Sequence, residues 1–431
     1  MSKIAFQIIA IVLLVMLINS CAFFKLKEEL EVMESNIGIG GEIENRSPEQ
    51  KPLIVILYSE VDGKQQIVGL RIVGKTEGFY IFVVPVGEYY ILAFEDANLN
   101  LKYDTGEYFG AFGQPDLIRM SSLKARDNLH IEVSRTGGFP EGFPADVSKV
   151  SLASALKNVA TGTIISPDDE KFSQETADMG FWQPVTFLKQ AGVGVYFLEQ
   201  YDPNKIPILF VHGAAGTPRH FQYLAEHIDR SRFQPWFYHY PSGIPLEKIS
   251  GFLNVLIKIL HDDYQFDQLY VTAHSMGGLV SRSFILKNFI EDGNDYIKLF
   301  VSISTPWGGL ETAQKGVESA PAVIPSWHDV VPNSPFIQGV FSKSLKPQID
   351  YYLIFSYKGD CSLFMDNNDG SVTLRAQLDL RAQKDALSKW GFDQGHVGIL
   401  SSPEVLQTYE EILEITGSGN QPGLRLFGIK N

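Results

Sequence analysis

The rhythm of apolar and polar positions changes partway along the chain. From Pro52 to about Val133, short β-branched and aromatic runs (LIVILYSE, QQIVGLRIVG, GFYIFVVPVG, EYYILAFED and LHIEV) are separated by Gly, Asp and Asn turns. Such runs predict strands, and their close spacing predicts a small antiparallel, sandwich-like all-β domain. Further on, the apolar stretches VGVYFLEQ, IPILFVHG, QPWFYHY, QLYVTAH, IKLFVSIS and YYLIFSY are interleaved with helical patterns over Leu246 to Leu260 and Gly278 to Phe289. Near-continuous apolar strands alternating with amphipathic helices predict an α/β domain, its mostly parallel sheet covered by helices. Residues 135–180 are richer in Gly, Pro, Ser and Asp, hold one short helical pattern around Ser151 to Val159, and read as a linker. The expected order is therefore a leader at 1–20, a tether at 21–51, the β module at 52–134, the linker at 135–180, the α/β domain at 181–418 and a tail at 419–431.

Composition agrees with two buried cores: 431 residues, 45% hydrophobic and 20% charged, exceed what one core usually holds. The 36 basic residues against 50 acidic ones give a net charge of −14. With no Lys/Arg-rich run, a nucleic-acid partner is excluded. The first residues, MSKIAFQIIAIVLLVMLINSC, place one lysine before an apolar run that ends in Ile18-Asn19-Ser20-Cys21. This is the pattern of an export signal. Its end looks like a lipobox, in which Cys21 is acylated with palmitate-type chains and becomes the new N-terminus. The alternative is an uncleaved helical anchor from Ile4 to Phe24, about 31 Å at roughly 1.5 Å per residue. Either way the remainder is exported and tied to a membrane in the cell envelope, the outer membrane if the source is a diderm bacterium. Cys361 is the only other cysteine, so no disulfide framework is expected in the mature chain.

One loop of the β module places oxygen side chains at alternate positions: Asp96, Asn98, Asn100, Asp104 and Glu107. These are the ligand offsets of an EF-hand loop. Leu101, however, stands where that loop needs glycine, and the flanks are strands. A structural calcium site is one reading, and an Asn/Asp turn that bonds its own backbone is the other.

Candidate chemistry concentrates in the α/β half. In LYVTAHSMGGLV, Ser275 sits where a strand ends and a helix begins, with small Ala273 and Gly277 two residues to either side. That is the requirement of a nucleophile elbow, whose tight backbone excludes larger side chains. An α/β-hydrolase presents its nucleophile, acid and histidine in that order. Only His328 and His396 follow Ser275, and His396, in the loop before the last helical run, has the place of the base. Asp360, Asp366 and Asp369 follow the YYLIFSY strand. Asp369, before Gly370 and a strand-like SVTL, is favoured as the acid, and Asp366 is held in reserve. The small residues of FVHGAAG can bring backbone N–H groups to a substrate oxygen, so Ala214 and Met276 are the candidate oxyanion donors. His212 and His274 read as structural.

Taken together, FVHGAAG, AHSMGG, SISTPWGG, NDGSV and GHVGIL resemble the lipase and esterase branch of the α/β-hydrolases, including triacylglycerol lipases and GPI-inositol deacylase-like proteins. The resemblance covers the chain from about Ile206 onward. It departs at Ala273, where glycine is usual, and at Trp307, where relatives often carry histidine. It implies a serine hydrolase acting on ester or lipid substrates through an acyl-enzyme, with no cofactor required for catalysis. An acyltransferase using the same triad and a non-catalytic envelope lipoprotein are the alternatives. The Pro- and Trp-rich stretch 306–349 is expected to form a lid or an acyl pocket, or else an insertion packed on the core.

Overall fold

The computed structural model describes residues 23–31, 36–73, 77–120, 126, 128–148, 159–359 and 366–417. The leader with Cys21, residues 151–158 of the expected short helix, Asp360, Cys361 and the tail from 419 lie outside the described residues. The chain divides into two compact units, residues 1–161 with 185–194 and 255–265, and residues 162–184, 195–254 and 266–431. Among the described residues no helix is long and apolar enough to cross a membrane.

The first unit carries strands β1 (Asn36–Asn45), β2 (Leu53–Val61), β3 (Lys64–Val73), β4 (Glu77–Pro85), β5 (Gly87–Glu95), β6 (Tyr108–Ala111), β7 (Ile118–Met120), β8 (Ile131–Val133) and β9 (Arg135–Thr136). They form a three-stranded sheet, β4-β1-β8, and a six-stranded one, β3-β2-β5-β6-β9 with β7 beside β5. The pairing is antiparallel as expected except for β1 and β8, which run parallel. Successive side chains of a strand face opposite ways. In β2, Leu53, Val55 and Leu57 therefore join Ile39, Ile43, Phe82 and Ile131 in one core, while Ile54, Ile56 and Tyr58 join Leu92, Phe94 and Phe109 in a second. Phe139 and Phe143 cover that second face, and the Tyr58 hydroxyl donates to the Pro144 carbonyl at 2.7 Å.

Two expectations about boundaries change here. Strand β1 and a helix at 23–31, with Leu26 buried, fall inside the expected tether. The glycines of NIGIGGEIEN interrupt the alternation that marks a strand. Residues 139–147 fall inside the expected linker, yet they close the module's second core.

The larger sheet has eight strands in the order β10-β11-β13-β12-β14-β15-β16-β17: β10 (Val159–Ile164), β11 (Val193–Phe197), β12 (Ile206–Val211), β13 (Phe233–His239), β14 (Leu269–His274), β15 (Ile297–Ile303), β16 (Asp350–Ser356) and β17 (Ser388–Phe392). From β13 to β17 every neighbouring pair is parallel. Strands β13 and β14 are buried at every position, as a sheet covered on both faces demands. The covering helices include α1 (Gln174–Trp182), α2 (Leu246–Tyr264) and α3 (Met276–Ile285), the last continuing as a π-helical turn over Leu286–Glu291. This is the α/β-hydrolase architecture. Strand β10 and helix α1 both lie in the stretch read as a linker, so the larger fold begins earlier than residue 181.

Stretch 306–349 holds three short helices, α4 (Glu311–Ser319), α5 (Pro325–Val330) and α6 (Pro335–Gly339). Ile324, Val330, Ile337, Val340, Leu345 and Trp307 are buried within it. Its end is stapled to α3 by Arg282, whose guanidinium reaches the Val340 carbonyl, the Lys343 carbonyl at 3.1 Å and the Asp385 carboxylate. The Ser344 hydroxyl donates to the same carboxylate at 2.7 Å. The guanidinium also lies over the Phe341 ring, 4.7 Å from its centroid, while Arg282 Nη1 is buried without a hydrogen-bond partner among the described residues.

Candidate active site

Ser275 lies between the end of β14 and the first residue of α3, with φ 54° and ψ −132°. A non-glycine residue with positive φ is strained, and its neighbours show what holds it. The Ser275 N–H donates to the Ile303 carbonyl at 2.8 Å. A Cβ at Gly277 would meet the carbonyl oxygens of Val211 and His212 at 2.3 Å, so that position admits only glycine. The methyl of Ala273 is accommodated, fully buried, in the strand itself. The departure from the usual first glycine thus has a steric explanation: the turn is tight after the serine and tolerant before it.

The carboxyl ends of β14, β16 and β17 bring three side chains together. The Ser275 hydroxyl is 2.9 Å from His396 Nε2, and His396 Nδ1 is 2.7 Å from Asp369 Oδ2. With Nδ1–H donating to the carboxylate, Nε2 is left to accept from the serine, which is the tautomer a general base needs. His396 is fixed again through its backbone, its N–H donating to the Asp369 carbonyl at 2.8 Å. Asp366, the reserve acid, is exposed and 3.4 Å from the Arg375 guanidinium. Asp369 is the carboxylate bonded to the ring. His328 sits on α5, outside this chain of bonds.

Asp369 is buried, and burial alone would raise its pKa. The bonds from His396, the Ser356 hydroxyl at 2.7 Å and the Val372 N–H at 2.7 Å outweigh burial and hold the carboxyl below its ordinary range. The Ser371 N–H at 3.0 Å and Gln377 Nε2 at 3.1 Å complete its partners. The SVTL segment is not a strand: after an isolated bridge between Asn368 and Thr373, a helix begins at Leu374. The two N–H groups that stabilise Asp369 belong to that turn.

The candidate oxyanion turn follows β12, next to β14 in the sheet. Gly213 is against Ser275, since a Cβ there would stand 2.7 Å from Ser275 Cβ. Met276 is the first residue of α3, where a helix leaves its N–H groups without partners. Among the described residues no acceptor is bonded to the N–H of Ala214 or of Met276. His212 stacks on Tyr240 at 4.1 Å between ring centroids, and its Nδ1 donates to the Gly213 carbonyl at 2.9 Å. Burial pushes its pKa down to about 3, so it stays neutral beside the turn.

The model of the lecithin:cholesterol acyltransferase family matches residues 246–320. No curated protein matches the chain. Similar solved structures include the mature lipase BlEst2 of Bacillus licheniformis, at 16% identity and TM-score 0.41 over 51% of this chain and 94% of that one. Lipase B of Aspergillus fumigatus gives 17% identity and TM-score 0.39, over 51% and 55% of the two chains. Phospholipase PlaB of Legionella pneumophila gives 12% and 0.35, over 40% and 45%.

The loop of the β module closes on itself. Asp96 accepts from the N–H groups of Asn100 and Leu101, each at 3.0 Å, and Glu107 from those of Ala97 and Asp104, each at 2.8 Å. Asn98 and Asn100 both donate to Asp104 Oδ2 at 2.7 Å. Leu101 takes the left-handed conformation, φ 61°, that glycine would supply. Among the described residues no group of three or more His, Cys, Asp or Glu side chains is disposed to hold a metal ion.

Sequence reasoning missed three polar residues around the triad. Ser356 ends β16 and Gln377 lies on a helix, and neither carries a local signal. His274, beside Ser275 in sequence, reaches the His396 carbonyl with its Nε2 at 2.7 Å. Burial, with repulsion from His396 second, pushes its pKa well below the ordinary value, so a neutral Nε2–H donates to the loop that carries His396. Replacing it by phenylalanine should keep the fold and let that loop drift, lowering kcat on p-nitrophenyl butyrate by about 10- to 100-fold. His274→Gln, which keeps a donor, should recover part of the loss. Equal rates in all three proteins would remove the tether from the site's account.

Proposed function

We propose that this protein is a serine hydrolase of carboxylic esters, lipid or acyl esters among them. The observation that supports it is the continuous hydrogen-bond chain from Asp369 through His396 to a strained Ser275. In this reading Ser275 Oγ attacks the ester carbonyl as His396 Nε2 takes its proton, and Asp369 stabilises the imidazolium. The N–H groups of Ala214 and Met276 receive the oxyanion, a contribution of about 3–4 kcal/mol for a single donor. Collapse of the tetrahedral intermediate returns the proton from His396 to the departing alcohol. Water, deprotonated in turn by His396, then releases the acid and restores the serine. None of these steps calls for a metal or an organic cofactor.

Acyl transfer is a second reading. The matched segment 246–320 of an acyltransferase family includes Ser275, and an alcohol in place of water would complete the same cycle. Product analysis with added alcohol separates the two: a new ester supports transfer, free acid alone supports hydrolysis. For either chemistry, Ser275→Ala and His396→Ala should each abolish nearly all turnover of p-nitrophenyl butyrate, and the double variant should be little worse. Asp369→Asn should cost about 10⁴-fold through the wrong histidine tautomer. Full activity in Ser275→Ala, or fluorophosphonate labelling that persists in it, would overturn this mechanism, whereas a wild-type protein with neither turnover nor label would support the non-catalytic envelope lipoprotein.

We also propose attachment to a membrane through acylated Cys21. Cys21→Ala should leave an unprocessed precursor without acyl label, and unchanged processing would end this proposal. For the loop with Asp96, Asn98, Asn100, Asp104 and Glu107 we propose structural calcium. Binding to the folded state alone raises Tm as calcium is added, and an unmoved Tm at millimolar calcium leaves the self-bonded turn as the whole account.

A further inference from the structure

We propose that Ser242 and Gln174 are positioning residues that preset the oxyanion donor at Ala214; this rests on the ester-cleaving reading above. The starting point is Ala215, a non-glycine residue with φ 46°. A left-handed alanine has no intrinsic preference for that conformation, so bonds from outside the turn must hold it. The Ala215 N–H donates to Ser242 Oγ at 2.9 Å, and Gln174 Nε2 donates to the Ala215 carbonyl at 3.1 Å. On the other side of Ala214, the Gly213 carbonyl accepts from the Gly216 N–H at 3.1 Å and from His212 Nδ1 at 2.9 Å.

These bonds fix three successive peptide planes. In a planar trans peptide the C=O and the N–H point in opposite directions. Anchoring the Gly213 carbonyl therefore aims the Ala214 N–H the other way, and anchoring the Ala215 N–H prevents the next plane from rotating to relieve it. Ala214 is caught between them. A preset donor stabilises the oxyanion without reorganising at the moment of reaction.

The two side chains are themselves held. Ser242 is buried in a turn whose Gly243 N–H donates to the Gly180 carbonyl of α1 at 3.0 Å and whose Gly243 carbonyl accepts from the Ser326 N–H of α5 at 3.1 Å. Gln174 is the first residue of α1. Helix α1 thus grips the oxyanion turn at one end and the Ser242 turn at the other. Nearby, the Thr217 hydroxyl donates to the Phe172 carbonyl at 2.6 Å, which ties the turn to the segment just before the helix.

The test uses the full chain, p-nitrophenyl butyrate and an alkyl trifluoromethyl ketone, whose serine adduct carries the oxyanion. Loss of a whole donor costs about 10²–10³ in kcat, and a misaimed donor should cost less. Ser242→Ala is expected to lower kcat about tenfold or more with KM within about twofold. The inhibition constant of the ketone should rise by the same factor, a change that loosened packing alone would not produce. Ser242→Thr, which keeps the hydroxyl, should recover part of both. If Ser242→Ala does not fold, Gln174→Ala decides, because Gln174 is exposed and its removal leaves the core intact; the same parallel loss of kcat and ketone affinity is expected, to a smaller degree. Wild-type kcat and ketone affinity in these variants, beside an inactive Ser275→Ala, would overturn the proposal and leave the hydrolase reading standing. Activity that survives Ser275→Ala would overturn both.

Discussion

A single backbone conformation organises the larger unit: Ser275 at positive φ, between a strand and a helix. Such a residue costs about 1–3 kcal/mol, and it persists only where its surroundings over-determine it. Here they do. The Ile303 carbonyl at the end of β15 takes its N–H, the β12 backbone leaves no room for a side chain at Gly277, and α3 is buried along its full length behind it. Those constraints need β14 in the interior of the sheet with β12 and β15 as parallel neighbours, the order observed. The same order sets the β12 turn beside the serine and lets the loops after β16 and β17 bring acid and histidine over the sheet edge.

The second constraint is a buried charge. A carboxylate removed from water is costly unless it is fully bonded, and Asp369 meets that condition with partners from β16, from its own turn, from a following helix and from His396. Burial opposes ionisation, and the bonds win. An ionised Asp369 holds the His396 ring by a charged hydrogen bond, so the orientation of the base depends on the packing of residues that never approach a substrate.

How far the site was legible in the sequence follows from how local each signal is. The nucleophile turn, the oxyanion turn and the order of serine, acid and histidine depend on short segments and chain order, and Ser275, Asp369 and His396 do meet as that order requires. The choice between Asp366 and Asp369 was nearly legible, since a carboxylate just before a glycine suits a tight turn. Ser356, Gln377, Ser242 and Gln174 were illegible: their partners are distant in sequence, and serine and glutamine occur everywhere. The boundaries failed for another reason. Residues 139–147 and 165–180 lack the periodicity of strand or helix because they work through single aromatics and backbone bonds, as Phe143 does against Tyr58 and Phe172 does for Thr217. Composition marked them as linker while packing made them part of two cores.

Five histidines, His212, His220, His239, His274 and His396, lie close enough for their charges to interact. The proposed acylation requires one of them to become positive, and a second imidazolium nearby would raise the cost of that step. Burial resolves the conflict by depressing His212, His220, His239 and His274, which favours their neutral forms. As neutral rings they serve as donors to carbonyls, His212 to Gly213 and His274 to His396. His396 alone spans a carboxylate and a hydroxyl. In the mechanism proposed above, the charge formed at that ring is stabilised by Asp369, and the neutral imidazoles around it add none. The division of labour among identical side chains is thus set by desolvation and by one carboxylate, with no difference in residue type.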